Sequence, residues 1–540
     1  MHLRHFSFLL VPACAAWLGC AGGEPGTSPA LNDGQSTVDN DLPVGDGTWM
    51  GEPLAEGCAP DGGTSGGDAV LVKSTLYFHT AAGVAMRAED RSGSPPEVLV
   101  PNGPTFTHIA GTAVDGGYQF VGVPSGPYYL RTGTTYIITD EREVDIGADR
   151  LGRADTTFTE WGETPVQLNL SNLAPWAQYQ STTQPGSSLQ VASAQVDLYG
   201  GVDIFDVDPV GQTSLLSTDS QVWGGTGPIP VFEAAKGDRL YVNQLSPVDA
   251  GTLPDGGALA YSTVLRSMQM SPFNFTADGT TPLSINGTMQ PVPLAEFPLE
   301  WRLPGYTARA TEVHPAATPS IPSFYVMPAT HGLQDGWVGY SGELLTLQLP
   351  RGAAYDFTRR LSYGNPFPSS WDLVGSAQYS FRTLQPLPNS GGTQVYLSGT
   401  LLSYDRLANL IASPVLPRVS PPRELTIDGV AASVPREVGS ASPVIAWLPP
   451  TLGTPSAYRV SITWYPPGQT YGYPHSRFYL PGSATQVRLP PGLLVPGGTH
   501  HLRVSALDVP GYDVERRPFS SLDSIPYAQA DAISSFFTTP

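Results

Sequence analysis

Glycine and proline interrupt this chain so often that strands fit between them and long helices do not. The 59 glycines and 55 prolines exceed a fifth of the 540 residues. Between them lie short runs rich in β-branched and aromatic side chains, among them 74–79, 97–100, 166–170, 189–191, 196–199, 238–242, 344–349 and 394–397. Such side chains suit the pleated surface of a strand, and the Pro, Gly and Asp clusters supply turns. Alternation of apolar and polar residues fits antiparallel sheets with one solvated face. Residues 405–412 carry the one helical stripe, and an extended connection fits them equally. There is no Gly-X-Y period, so collagen is excluded, and no repeat at a fixed period is found. The expected fold class is all-β: several β-sandwich domains in tandem after a disordered tether.

Charge narrows the function classes. The formal net charge is -20, charged residues are 14% of the chain, and the lysines are Lys73 and Lys236. Nucleic-acid binding needs a basic face to neutralise phosphates, and no basic cluster is present. After the N-terminus no segment is apolar for long enough to span a bilayer as a helix. The strand runs are short and broken by proline, which disfavours an outer-membrane barrel.

The N-terminus is a location signal. Arg4 and two histidines precede an apolar core, residues 6–18, about 13 residues long and too short for a bilayer core of about 30 Å. It ends in Leu18-Gly19-Cys20. This resembles a bacterial lipoprotein signal, in which a small residue precedes the cysteine that receives the lipid; Trp17 and Leu18 depart from its usual residues. The resemblance implies lipidation at Cys20 and a place in the cell envelope, at the outer membrane or cell surface. The alternative is ordinary cleavage nearby and secretion. Three cysteines, Cys14, Cys20 and Cys58, cannot build a disulfide framework. Cys58 is unpaired if Cys20 carries lipid and can pair with Cys20 if it does not.

The expected organisation is a signal over 1–20, a disordered tether over 21–69, a β-domain over 70–157, a β-rich central region over 158–413, a proline-rich linker over 414–422 and a last domain over 423–540. The tether has few large apolar residues, so it cannot offset its ordering entropy. In the first domain, Asp115-Gly116-Gly117 is turn chemistry, Tyr118, Phe120, Tyr128 and Leu130 alternate inward, and residues 123–126 reverse the chain. This stretch of about 20 residues resembles the closing half of the carboxypeptidase-regulatory-like (transthyretin-like) β-sandwich. That family is mostly non-catalytic, which implies a structural or binding module. The central region reads as one large sandwich or two smaller ones. The last domain resembles a fibronectin type III domain over about 100 residues. Trp447 stands as the core tryptophan of the second strand and Tyr458 lies on the third. Leu494 opens the turn into the sixth, and His500 stands where that family places its corner tyrosine. His501 then faces solvent, since neighbours on a strand point to opposite faces.

Motifs of common chemistries are missing. There is no H-E-x-x-H, phosphate loop or C-x-x-C. Residues 63–67 match G-x-S-x-G, but no helix follows as a nucleophile elbow requires. Asp203, Asp206 and Asp208 offer oxygen ligands for calcium, without the spacing of an EF-hand loop; a solvated strand edge is the favoured reading. His331 and Asp335 near Ser341 lack an oxyanion feature. Trp161, Trp176, Trp223, Trp301, Trp337 and Trp371 are core residues in the first instance, and sugar-stacking platforms if exposed. No cofactor is expected. The expected function is a membrane-anchored extracytoplasmic β-module protein with a binding, adhesion or envelope-organising role. Its partner would be a protein or polysaccharide, not nucleic acid. The alternative is a secreted carbohydrate-active enzyme or glycan-binding protein with its site in the central region.

Overall fold

The computed structural model describes residues 69–225, 227–520 and 524–540. The signal, Cys20, Cys14, Cys58, the G-x-S-x-G match and residues 21–68 of the tether lie outside them. Among the described residues the elements are strands, apart from three α-helical pieces of four or five residues and one 3-10 turn. The chain is all-β, a multi-domain sandwich fold.

In the N-terminal block, strand Ala69–Lys73 pairs antiparallel with Gly117–Val121 and parallel with Glu143–Asp145. The Asp115-Gly116-Gly117 turn closes a hairpin with Thr112–Val114, Gly116 taking φ +72. Gly117 has to be glycine, because a Cβ there would lie 2.0 Å from the Val72 carbonyl oxygen. Phe120, Tyr128 and Leu130 are fully buried, whereas Tyr118 is only partly so. The opposing layer is Glu97–Asn102, Thr105–Ala110, Tyr128–Thr132 and Thr135–Thr139.

The central block holds the longest strands. Tyr241–Thr252 pairs with Ala258–Gln269, and Asp372–Pro386 lies between Thr318–Ala329 and Gln394–Arg406. Glu163–Ser171, Ser188–Ser193, Leu198–Ile204, Leu215–Gly224 and Leu283–Thr288 enclose a smaller core around Val166, Leu189, Val191, Val222 and Ile285. The larger core centres on Trp301, fully buried edge-on to Tyr306 at 6.1 Å. Residues 405–412 start as the end of a strand and finish as the short helix Leu407–Leu410. The proline-rich stretch 414–422 lies along the body, where Val415 exchanges backbone hydrogen bonds with Glu300 and Arg302 and Ser420 is fully buried.

In the C-terminal block, Ala457–Tyr465 lies between Tyr473–Pro481 and Thr499–Asp508. Trp447 on Val444–Leu448 is buried against Tyr458 with ring centroids 5.2 Å apart. Ahead of the last strand, Phe537–Thr538, a further strand, Tyr527–Ile533, pairs with Thr499–Asp508.

The three blocks share hydrogen-bonded ladders. Thr135–Thr139 runs parallel to Tyr473–Pro481, with Tyr136 stacked on Phe478 at 4.7 Å. Gln394–Arg406 pairs with Tyr527–Ile533, and Tyr404 stacks on Tyr527 at 4.5 Å. Ion pairs Arg516–Glu141 and Arg517–Asp149 tie the first block to the last.

Candidate functional site

A cleft sits on the central block, and strand register builds it. Gln190 on Ser188–Ser193 faces Gly201 on Leu198–Ile204, and Gly201 faces Trp223 on Leu215–Gly224. Residues directly opposite share a face, and so do residues two apart. Tyr199, Gly201 and Asp203 therefore line one side with Gln190 and Trp223, while Leu189, Val191 and Val222 face the core. Gly201 gives the Trp223 indole its place, since a Cβ there would lie 2.6 Å from the ring. Tyr199 meets Trp223 edge-on at 6.4 Å. Tyr179 at the rim is exposed, and the cavity volume is about 80 Å³.

The floor is Glu343, carried in by a glycine-rich loop ahead of strand Leu345–Gln348. Gly342 takes φ +93, and a Cβ there would lie 2.4 Å from Gln190 Oε1, so glycine alone allows the close approach. The Gln190 side chain grips the Glu343 backbone at two points. Its Nε2 donates to the Glu343 carbonyl oxygen at 2.7 Å, and its Oε1 accepts from the Glu343 N–H at 3.2 Å.

Glu343 is buried, 4% exposed as a residue. The Tyr199 hydroxyl donates to Oε2 over a long 3.4 Å, and Oε1 has no hydrogen-bond partner at bonding geometry. Burial pushes this carboxyl up to about 7, against the moderating influence of Tyr340, the Glu343 backbone N–H and Tyr199. Tyr340 lies edge-on to Tyr199 at 4.6 Å, and burial raises its phenol well above the ordinary range. Asp203 is also raised, by burial first and by the nearby Glu163 charge second. The residues lining the cleft include no lysine, arginine or histidine. The arrangement can accept hydrogen bonds, stack on flat or aliphatic surface, and take up or release a proton near neutrality.

The three aspartates proposed for calcium do not form a joint site. Asp203 lies in the cleft, Asp206 caps residues 217–219 through Ser217 Oγ and the Thr218 and Asp219 N–H groups, and Asp208 accepts from the Val210 N–H. Among the described residues no group of three His, Cys, Asp or Glu is placed to hold a metal. The His331, Asp335 and Ser341 trio is likewise dispersed. Ser341 Oγ bonds Thr330 Oγ1 at 2.8 Å, Asp335 faces His79 at 3.5 Å, and His331 packs edge-on to Trp371.

His500 Nε2 accepts the upstream Val495 N–H at 3.3 Å, and burial beside His475 lowers the ring to about 4. His501 does not face solvent. It is buried, its Nδ1 lies 3.5 Å from Ser534 Oγ, and burial first, with the Arg503 charge second, lowers it to about 3. Leu494 is buried at the turn. Of the tryptophans, Trp301 and Trp371 are buried, Trp176, Trp223 and Trp337 are partly buried, and Trp161 is exposed.

Sequence reasoning missed Glu343, Gln190, Tyr199 and Tyr340. The available signal was the density of glycines around single chemical residues: Tyr199-Gly200-Gly201, Trp223-Gly224-Gly225, and Gly339-Tyr340-Ser341-Gly342-Glu343. There the absent side chains make room for rings and for the clamp.

No protein-family model matches the chain, and no curated protein matches it. A solved structure of the chicken CNTN1 FN1-FN3 domains aligns with 10% identity over 72% of this chain and 99% of that one, at a TM-score of 0.13. A superposition that loose carries no argument, so the fold rests on the strand pairings above.

Proposed function

We propose that this is an exported, lipid-anchored protein of β-modules that acts by binding a ligand in the cleft of its central block. The cleft carries the reading: aromatic rings at the rim, a positioned but under-bonded carboxyl at the floor, and a backbone clamp that fixes it. Binding sites combine apolar lining with a few placed polar groups in this way. The signal-like residues 1–20 support export and anchoring through Cys20 at the cell envelope. The first block is read as a carboxypeptidase-regulatory-like module and the last as a fibronectin type III module. Support for the last comes from Trp447 against Tyr458 and from the His500 ring at the upstream Val495 N–H.

The test is a thermal-shift panel on the mature protein, with neutral oligosaccharides, organic cations and organic anions, repeated on Trp223→Ala. A compound that raises the midpoint of the native protein but not of the variant supports a binding cleft. A panel with no shift, or with equal shifts in both proteins, contradicts it.

One observation favours a second reading, a carbohydrate-active enzyme: Asp203 and Glu343, both with raised carboxyls, line the same cleft. Glycosidases use paired carboxylates as acid and base. Release of reducing ends from a polysaccharide, abolished by both Glu343→Gln and Asp203→Asn, would establish it.

A further inference from the structure

Buried carboxylates in folded chains are paired with cations or with several donors. Others in this chain obey the rule. Asp238 is held by Arg153 at 2.7 Å and Asp405 by Arg418 at 2.8 Å. Asp531 accepts from Ser505 Oγ, Gln529 Nε2 and the Thr400 N–H at 2.8 to 2.9 Å. Glu343 departs from it. It has one long hydrogen bond from Tyr199, the Tyr340 hydroxyl close by but outside bonding geometry, and no cation in the lining.

The titratable groups facing Glu343 are the phenols Tyr199 and Tyr340, and Asp203 lies across the cleft. None of these can become positive, so the cleft itself offers an ionised Glu343 no counter-charge and leaves it to hold a proton or meet a cation from outside. The rings of Tyr199, Trp223 and Tyr179 offer the faces that attract cations. A net charge of -20 draws cations toward the surface and repels anions.

We propose that the Glu343 cleft takes an organic cation, its primary ammonium group set against the buried carboxyl and its carbon chain against the Tyr199, Trp223 and Tyr179 rings. The inference rests on the cleft being a ligand site and adds the ligand's chemical class. It also fixes the sign of the pH dependence. An ammonium ion needs the ionised carboxyl, so binding tightens as pH rises through about 7. A neutral sugar hydroxyl that accepts from the protonated carboxyl does the reverse.

The experiment titrates the full chain with n-butylammonium chloride at pH 6 and pH 8 and constant ionic strength, read by tryptophan fluorescence, with cellotriose as the neutral probe. Butylammonium is expected to bind about tenfold tighter at pH 8, to lose binding in Glu343→Gln, and to weaken in Asp203→Asn. No butylammonium binding, or equal binding to the native protein and Glu343→Gln, overturns the proposal. Cellotriose binding that weakens toward pH 8 and requires Glu343 overturns the cation but keeps the ligand site; binding of neither probe overturns both. Should Glu343→Gln fail to fold, the native protein decides, and a flat or falling trend from pH 6 to pH 8 overturns the proposal.

Discussion

Replacing Glu343 by glutamine should make the protein more stable at alkaline pH. Glutamine has nearly the same shape, can still accept from the Tyr199 hydroxyl and never ionises. The native carboxyl stands at about 7 in the fold against 4.5 for a free glutamate. The folded state thus holds the proton more tightly than the unfolded chain. Stability from this group is present in full below about pH 4.5, is lost as pH rises to about 7, and is level above that. A difference of about 2.5 pH units at 1.36 kcal/mol each is ~3 kcal/mol. Glu343→Gln should therefore match the native protein below about pH 4.5, exceed it by about 1 kcal/mol at pH 5 and by up to ~3 kcal/mol at pH 8. For a cooperative unit of a few hundred residues that is on the order of 5–10 °C in melting temperature. Scanning calorimetry at pH 5, 6, 7 and 8 on both proteins measures it. Parallel curves across that range would refute the claim that Glu343 is buried without a counter-ion.

The acid side should show the opposite sign. His500 and His501 are lowered to about 4 and about 3, so their stability is complete above about pH 6.5 and is lost as pH falls. Each is worth on the order of 3 kcal/mol or more, and His501→Gln should flatten the loss between pH 6.5 and pH 4 in urea-unfolding midpoints. Trp301→Ala should cost about 3–5 kcal/mol, since the ring is fully buried in the larger core; a change below about 1 kcal/mol in the same assay would contradict that packing. Gly201→Ala should push the Trp223 indole aside, weakening ligand binding and shifting its fluorescence while the global melting temperature stays within about 2 °C. Cys20→Ala should move the protein from the membrane to the soluble fraction, and membrane retention would contradict lipid anchoring.

The all-β character was legible because proline and glycine leave room for strands alone, and Trp447, Phe120, Tyr128 and Leu130 announced their burial by alternation and size. The lateral joins were not legible. Pairing of Thr135–Thr139 with Tyr473–Pro481, or of Gln394–Arg406 with Tyr527–Ile533, joins segments far apart in sequence, and neither partner carries a local mark of the other. His501 misled in another way: period-two alternation predicts which face a residue takes, not whether that face is open to solvent. The cleft was the least legible feature. Its chemistry is a single glutamate and two tyrosines brought together by register and by a left-handed glycine, and a chain of scattered glycines does not say which one lets a carboxyl in.

The most direct measurement is the number of protons exchanged when butylammonium saturates the full chain at pH 7. It is read by titration calorimetry in two buffers of different ionisation enthalpy. With the Glu343 carboxyl at about 7 it is half protonated beforehand, and a cation seated against it should expel about half a proton per site. Proton uptake, or none, would contradict the placement of the cation on Glu343.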